Sequence, residues 1–125
     1  TKTVFSLEGL TLEGLVNAFS TLMIKRESAR VNEEVREIPR DEYTVEQKIT
    51  FVMECLEERE QIGFEELFTR DFTKSEIVTT FQAMLELLKH QFLRVRQEET
   101  FGEIIISLNP DRSEEVQLGE IDEYN

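Results

Sequence analysis

A chain of 125 residues with 27 acidic against 14 basic side chains carries a formal net charge of −13, which disfavours a nucleic-acid backbone or an anionic membrane as its main partner. Its length allows one domain with a core of its own, and its single cysteine, Cys55, excludes an intrachain disulfide and fits a reducing compartment. No apolar run reaches the roughly 18 residues of a membrane span, and no charged-then-apolar leader opens the chain. A cytoplasmic protein is therefore expected, and Thr1 in place of a starting methionine points to a piece of a longer one.

The first residues hold a short repeat, SLEGL at 6–10 and TLEGL at 11–15, whose first glycine is expected to mark a turn. A chance recurrence explains it better than a repeat array. From Thr11 a helix is expected, because Leu12, Leu15, Val16, Phe19, Leu22 and Met23 share a face and Lys25 and Arg26 suit its C-terminal end. Residues 32–43, NEEVREIPRDEY, are dense in charge, and Pro39 disfavours helix at Ile38, so an extended connector is expected there. With few apolar contacts in that connector, residues 1–43 should be held less firmly than the chain from Thr44 onward.

Thr44 and Gln47 then form a capping box, and Val45, Ile49, Val52, Met53 and Leu56 define a helix to about Arg59. Phe51 lies on its opposite side, either as a lone exposed ring or as a neighbour for the apolar face of the first helix. Residues 61–63 suit only an edge strand, and FEELF (64–68) a helix of one or two turns. A second capping box, Thr73 with Glu76, opens the strongest helix, whose apolar stripe is Ile77, Phe81, Met84, Leu85 and Leu88. After Phe92 the period drops to two: Leu93 and Val95 alternate with Arg94 and Arg96, and Ile104, Ile106 and Leu108 with Ile105 and Ser107. QEETFG (97–102) joins the two strands as a wing. The expected fold class is mainly α with a small β-hairpin (α+β), a winged helix-turn-helix preceded by an amphipathic helix. Its parts are helix plus connector at 1–43, the winged helix at 44–108, and an acidic tail at 109–125 expected to be disordered.

Enzyme chemistry finds little support in these residues. The five glycines include no phosphate-binding loop, and the only histidine, His90, with the only thiol cannot build a two-His or Cys-His metal site. His90 is expected to be a solvated residue near a helix end. Most carboxylates stand in runs such as Glu57-Glu58 and Glu98-Glu99, the pattern of a solvated face. No catalytic residue, cofactor or metal is expected.

DNA reading is also disfavoured. The outward face of the long helix is taken as Thr79, Gln82, Ala83, Glu86, Lys89 and His90, where only Gln82 suits a base edge and Glu86 repels phosphate. Residues 73–108 hold four Lys or Arg against five Glu, and the wing carries Glu98, Glu99 and Glu103. Ala83 and Leu87, four apart, make a small apolar edge suited to docking on a protein, unless Leu87 only widens the core.

Four segments in order, TVEQKI (44–49), IGFEELF (62–68), SEIVTTFQAMLELLK (75–89) and RVRQEETFGEI (94–104), resemble the C-terminal winged-helix domain of segregation and condensation protein A (ScpA), the prokaryotic kleisin. SLEGLTLEGLVNAF (6–19) is similar to that family's segment just before the domain. Thr100 stands where such sequences often have proline, and the acidic tail has no counterpart. The resemblance implies a non-enzymatic subunit of an SMC condensin complex for chromosome condensation and segregation. Its C-terminal winged helix would dock on an SMC ATPase head and close the ring, its middle segment would meet an ScpB dimer, and it would touch DNA only through the complex, in cytoplasm at the nucleoid. Carried onto this chain, the SMC-facing residues are expected to be Ala83, Leu87, Arg94, Arg96 and Phe101. Leu12, Leu15, Phe19 and Phe51 are expected to meet either ScpB or the chain itself. The alternatives are a DNA-binding winged-helix transcriptional regulator and, more remotely, a hydrolase using paired carboxylates.

Overall fold

The computed structural model describes residues 6–30, 43–68 and 73–112; the expected connector at 32–43, save Tyr43, and the tail beyond residue 112 lie outside them. Among the described residues the order is β1 (Leu7–Glu8), α1 (Leu12–Arg30), α2 (Val45–Glu58), β2 (Gln61–Gly63), a 3-10 turn (Phe64–Phe68), α3 (Lys74–Lys89), β3 (Leu93–Gln97) and β4 (Ile104–Leu108). The described residues form a mixed α+β unit of three α-helices and one four-stranded sheet ordered β1-β3-β4-β2.

Both capping boxes form in full. Thr44 accepts from the backbone N–H of Gln47 at 3.1 Å while Gln47 accepts from that of Thr44 at 2.9 Å, and Thr73 and Glu76 repeat the exchange at 3.1 and 3.2 Å. Each helix thus begins where two orphan donors find side-chain acceptors. The hairpin matches the period-two pattern: β3 and β4 pair antiparallel with Val95 opposite Ile106 and Arg96 opposite Ile105, and β2 is the edge strand beside β4.

The sheet is larger than the hairpin expected from sequence, because β1 adds to it in parallel, Leu7 beside Val95 and Glu8 beside Arg96. The two LEGL copies therefore adopt different structures. The first is strand and turn, with Gly9 at φ +79°, and the second is the start of α1, where Thr11 Oγ1 accepts from the Gly14 N–H at 3.0 Å. A Cβ on Gly9 would stand 1.9 Å from the Gln97 carbonyl oxygen, so only glycine lets the chain leave β1 this close to β3. Asn109, first residue of the expected tail, is buried, and its side-chain amide donates to Ser6 Oγ and to the Gln91 carbonyl, each at 3.0 Å.

One apolar core joins all the layers. Leu15 and Leu22 of α1 lie in it with Ile49, Val52 and Leu56 of α2, the long face of α3, and Leu93, Val95, Ile104 and Ile106 of the sheet. Phe19 stacks on Phe81 at 4.0 Å between centroids and meets Phe68 edge-on at 5.7 Å. Arg26 donates to the Phe68 carbonyl, and Glu27 pairs with Lys74 at 2.6 Å. The first helix is thus packed on the rest of the protein rather than trailing from it.

Candidate functional site

The long helix α3 is covered from two sides. Glu76 reaches Lys48 of α2 at 3.3 Å, while Phe81 meets Phe19 of α1, and these two positions are about 140° apart around a helix that turns some 100° per residue. Between those directions Thr80, Met84, Leu87 and Leu88 are fully buried, and so is Ala83, about 20° beyond Glu76. Ala83 and Leu87 are therefore core, not an outer edge, and they offer no docking patch. A side chain with no exposed surface cannot meet a partner while the domain stays folded. The outward face is Lys74, Ser75, Val78 and Gln82, and His90, expected to be solvated, is the half-buried cap of α3 with Nε2 3.7 Å from Glu86 Oε2.

The buried Lys48–Glu76 pair had no signal in the sequence. Both side chains are at most one-tenth exposed, and Lys48 Nζ also lies 4.1 Å from the Tyr43 ring centroid and 5.4 Å from that of Phe51. Glu76 gives one oxygen to the capping box and the other to Lys48, so one carboxylate both starts α3 and ties it to α2. Phe51 is half-buried against the core. The aromatic partners of α1 are Phe68 and Phe81, so Leu15 and Phe19, with Leu12 half-buried beside them, make contacts within the chain.

The other three expected docking residues are accessible, and all lie on the hairpin. Alternation along β3 turns Arg94 and Arg96 to the face of the sheet opposite the helices, with Ile105 and Ser107 of β4 and Gln61 of β2 beside them by register. Arg94 pairs with Glu8 of β1, and Arg96 reaches across β4 to donate to Gln61 Oε1 at 2.8 Å. This outer face is small, polar and cationic at its centre. Phe101 stands at the hairpin tip with 98% of its surface exposed and a left-handed backbone, φ +63°, in the turn closed by Gly102 N–H to the Glu99 carbonyl at 2.8 Å. A large aromatic is costly in both respects, by about 1–2 kcal/mol for the backbone alone.

Beside the tip, on the helix side of the hairpin, a groove of 610 Å³ runs between α1, the 3-10 turn and the wing. Of its carboxylates, Glu66 is held in the charged form: the Gly63 N–H, first, and Arg59 keep its carboxyl below the usual glutamate range. Among the described residues no three His, Cys, Asp or Glu side chains are placed to hold a metal, and no helix is long and apolar enough to cross a membrane.

An accessible sheet face and an exposed aromatic tip are thus the features of this surface that the core does not explain. Comparison with known proteins gives the family. The family described as segregation and condensation protein ScpA matches residues 12–109. Among curated proteins, the segregation and condensation protein A of Brevibacillus brevis is 34% identical over 104 residues, 83% of this chain and 40% of that protein. That of Myxococcus xanthus is 36% identical over 112 residues, 84% of this chain and 39% of its own length, and that of Macrococcus caseolyticus is 42% identical over 67 residues, 54% and 28%. This chain belongs to the segregation and condensation protein A family, and it spans about two fifths or less of the length of these relatives.

Proposed function

We propose that this chain is the C-terminal part of a non-enzymatic kleisin subunit of a prokaryotic SMC condensin complex, and that its winged helix docks on an SMC ATPase head to close the ring. The family match carries this proposal, since residues 12–109 include every element from α1 to β4. Helix, edge strand, 3-10 turn, capped helix and hairpin follow one another in the order of a winged helix. On this reading α2 to β4 are the docking domain, and the SMC-facing residues are Arg94, Arg96 and Phe101. An ScpB dimer meets the kleisin upstream; α1 can join that contact only by its uncovered side, because Leu15 is fully buried and Phe19 is stacked on Phe81. DNA is reached through the complex, at the nucleoid, and the net charge of −13 supports an indirect role.

Co-elution of the chain with a cognate SMC head domain, with duplex DNA as the control ligand, tests the proposal. A complex with the head and none with DNA near physiological salt is the expected result. Tight, steeply salt-dependent DNA binding without a head complex would favour a winged-helix regulator instead.

A further inference from the structure

The groove between α1 and the wing opens away from Arg94 and Arg96 of the head-docking face proposed above and shares with that proposal only Phe101, at the tip. Gln97 and Ile104, which line it, alternate with Arg96 and Ile105, so the groove opens on the helix side of the hairpin and the arginines on the other.

Three properties define what the groove could hold. Its floor is apolar, built by Leu10, Leu22, Phe64 and Ile104. Its α1 wall is low, because Gly14, Ala18 and Thr21 fall on one side of the helix and bring no bulk, so an incoming backbone can approach closely. Among the described residues its charged lining is Glu65, Glu66 and Glu103 against Lys25 alone, and Glu98 and Glu99 stand exposed on the adjoining wing. At the mouth stands Phe101, an aromatic held in water at a backbone conformation that disfavours it.

We propose that this groove is a second protein-docking site, and that it receives an amphipathic segment of a partner protein in which apolar side chains are flanked by Lys or Arg. The apolar side chains would fill the floor under Phe101, and the cations would meet Glu65 and Glu103 at the rim. The acidic lining selects against the other occupants. A second copy brings another net charge of −13, and nucleic acid brings phosphates to the same carboxylates.

Phage-displayed random peptides of roughly sixteen residues, about four helical turns, can be selected on the immobilised chain. A synthetic copy of the enriched sequence is then titrated against the protein in solution. The expected consensus combines aliphatic or aromatic residues with Lys or Arg. Affinity should fall roughly tenfold or more with Phe101→Ser and with the double change Glu65→Lys and Glu103→Lys, and should not change with Arg94→Glu. All these positions are at least partly exposed, and unchanged melting temperatures would establish that the variants fold. No enrichment, an acidic consensus, or binding indifferent to Phe101 and the two glutamates would overturn the proposal. So would self-association of the chain that Phe101→Ser abolishes, which would make a second copy the occupant. Failure of the unaltered chain to bind the head, with peptide binding retained, would count against the head-docking proposal alone.

Discussion

The rings of Phe19 and Phe81 lie 4.0 Å apart and within 5° of parallel, which fastens the first helix to the middle of α3. Around that stack, Leu15 is fully buried, Arg26 caps the Phe68 carbonyl and Glu27 holds Lys74. Phe19→Ala should cost on the order of 2–3 kcal/mol, less than a fully buried Phe because Phe19 keeps some exposure. Hydrogen exchange offers the sharper readout. Amides near Leu15 and Leu22 should be protected to the same order as those of α3, and Phe19→Ala should lower the α1 set first. Fast exchange across α1 in the unaltered protein would show that α1 is only loosely attached, as the charge-rich stretch after it suggested.

Leu87 is a core residue, so substitutions there should act through stability. Leu87→Ala is expected to cost about 2–5 kcal/mol, and Leu87→Arg to prevent folding, because an unpaired guanidinium would be buried. Circular dichroism melting checks both. A stable Leu87→Arg variant would be incompatible with the packing of α3 between α1 and α2.

Much of this architecture was legible because it is local. Two capping boxes, the shift from period 3.6 to period two after Phe92, and the short edge strand all depend on residues a few positions apart. The parts that were not legible depend on distance along the chain. β1 exists through β3, and the Glu8–Arg94 pair that fastens it joins residues 86 apart, so nothing in SLEGL distinguishes it from TLEGL. A helical wheel likewise shows one apolar stripe on α3 but not a second covering layer, and this misplaced Ala83 and Leu87. Arg94 and Arg96 are partly exposed and Phe101 almost wholly so, as strand alternation and a place at the hairpin tip lead one to expect.

Gly9 offers a direct test of β1. Gly9→Ala would force a Cβ against the Gln97 carbonyl at a positive φ, and should destabilise by more than about 1–2 kcal/mol while detaching the segment that carries Glu8. Loss of hydrogen-exchange protection at Val95, whose N–H donates to the Ser6 carbonyl at 2.9 Å, would report the detachment in native buffer. A neutral substitution would mean that β1 adds nothing to the sheet.

Glu66 should make stability depend on acid. Its carboxylate accepts from the Gly63 N–H at 2.7 Å and pairs with Arg59 at 3.1 Å, which keeps its pKa below that of the unfolded chain. A depressed carboxyl contributes stability that is complete above the unfolded pKa, about 4.3, and is lost as pH falls through the folded value. The melting-temperature difference between the protein and Glu66→Gln should therefore be largest at neutral pH and shrink as the pH falls below the unfolded value. A difference independent of pH would mean that charge at Glu66 contributes nothing.

The proposed docking of the hairpin's outer face on an SMC ATPase head is open to calorimetric titration. A cognate head domain is titrated into the chain, and into Arg94→Glu, Arg96→Glu and Phe101→Ser variants with unchanged melting temperatures. Saturable one-to-one binding that weakens roughly tenfold or more when either arginine is reversed is expected. No heat of binding by the folded chain, or an affinity unchanged in all three variants, would rule out this face as the docking surface.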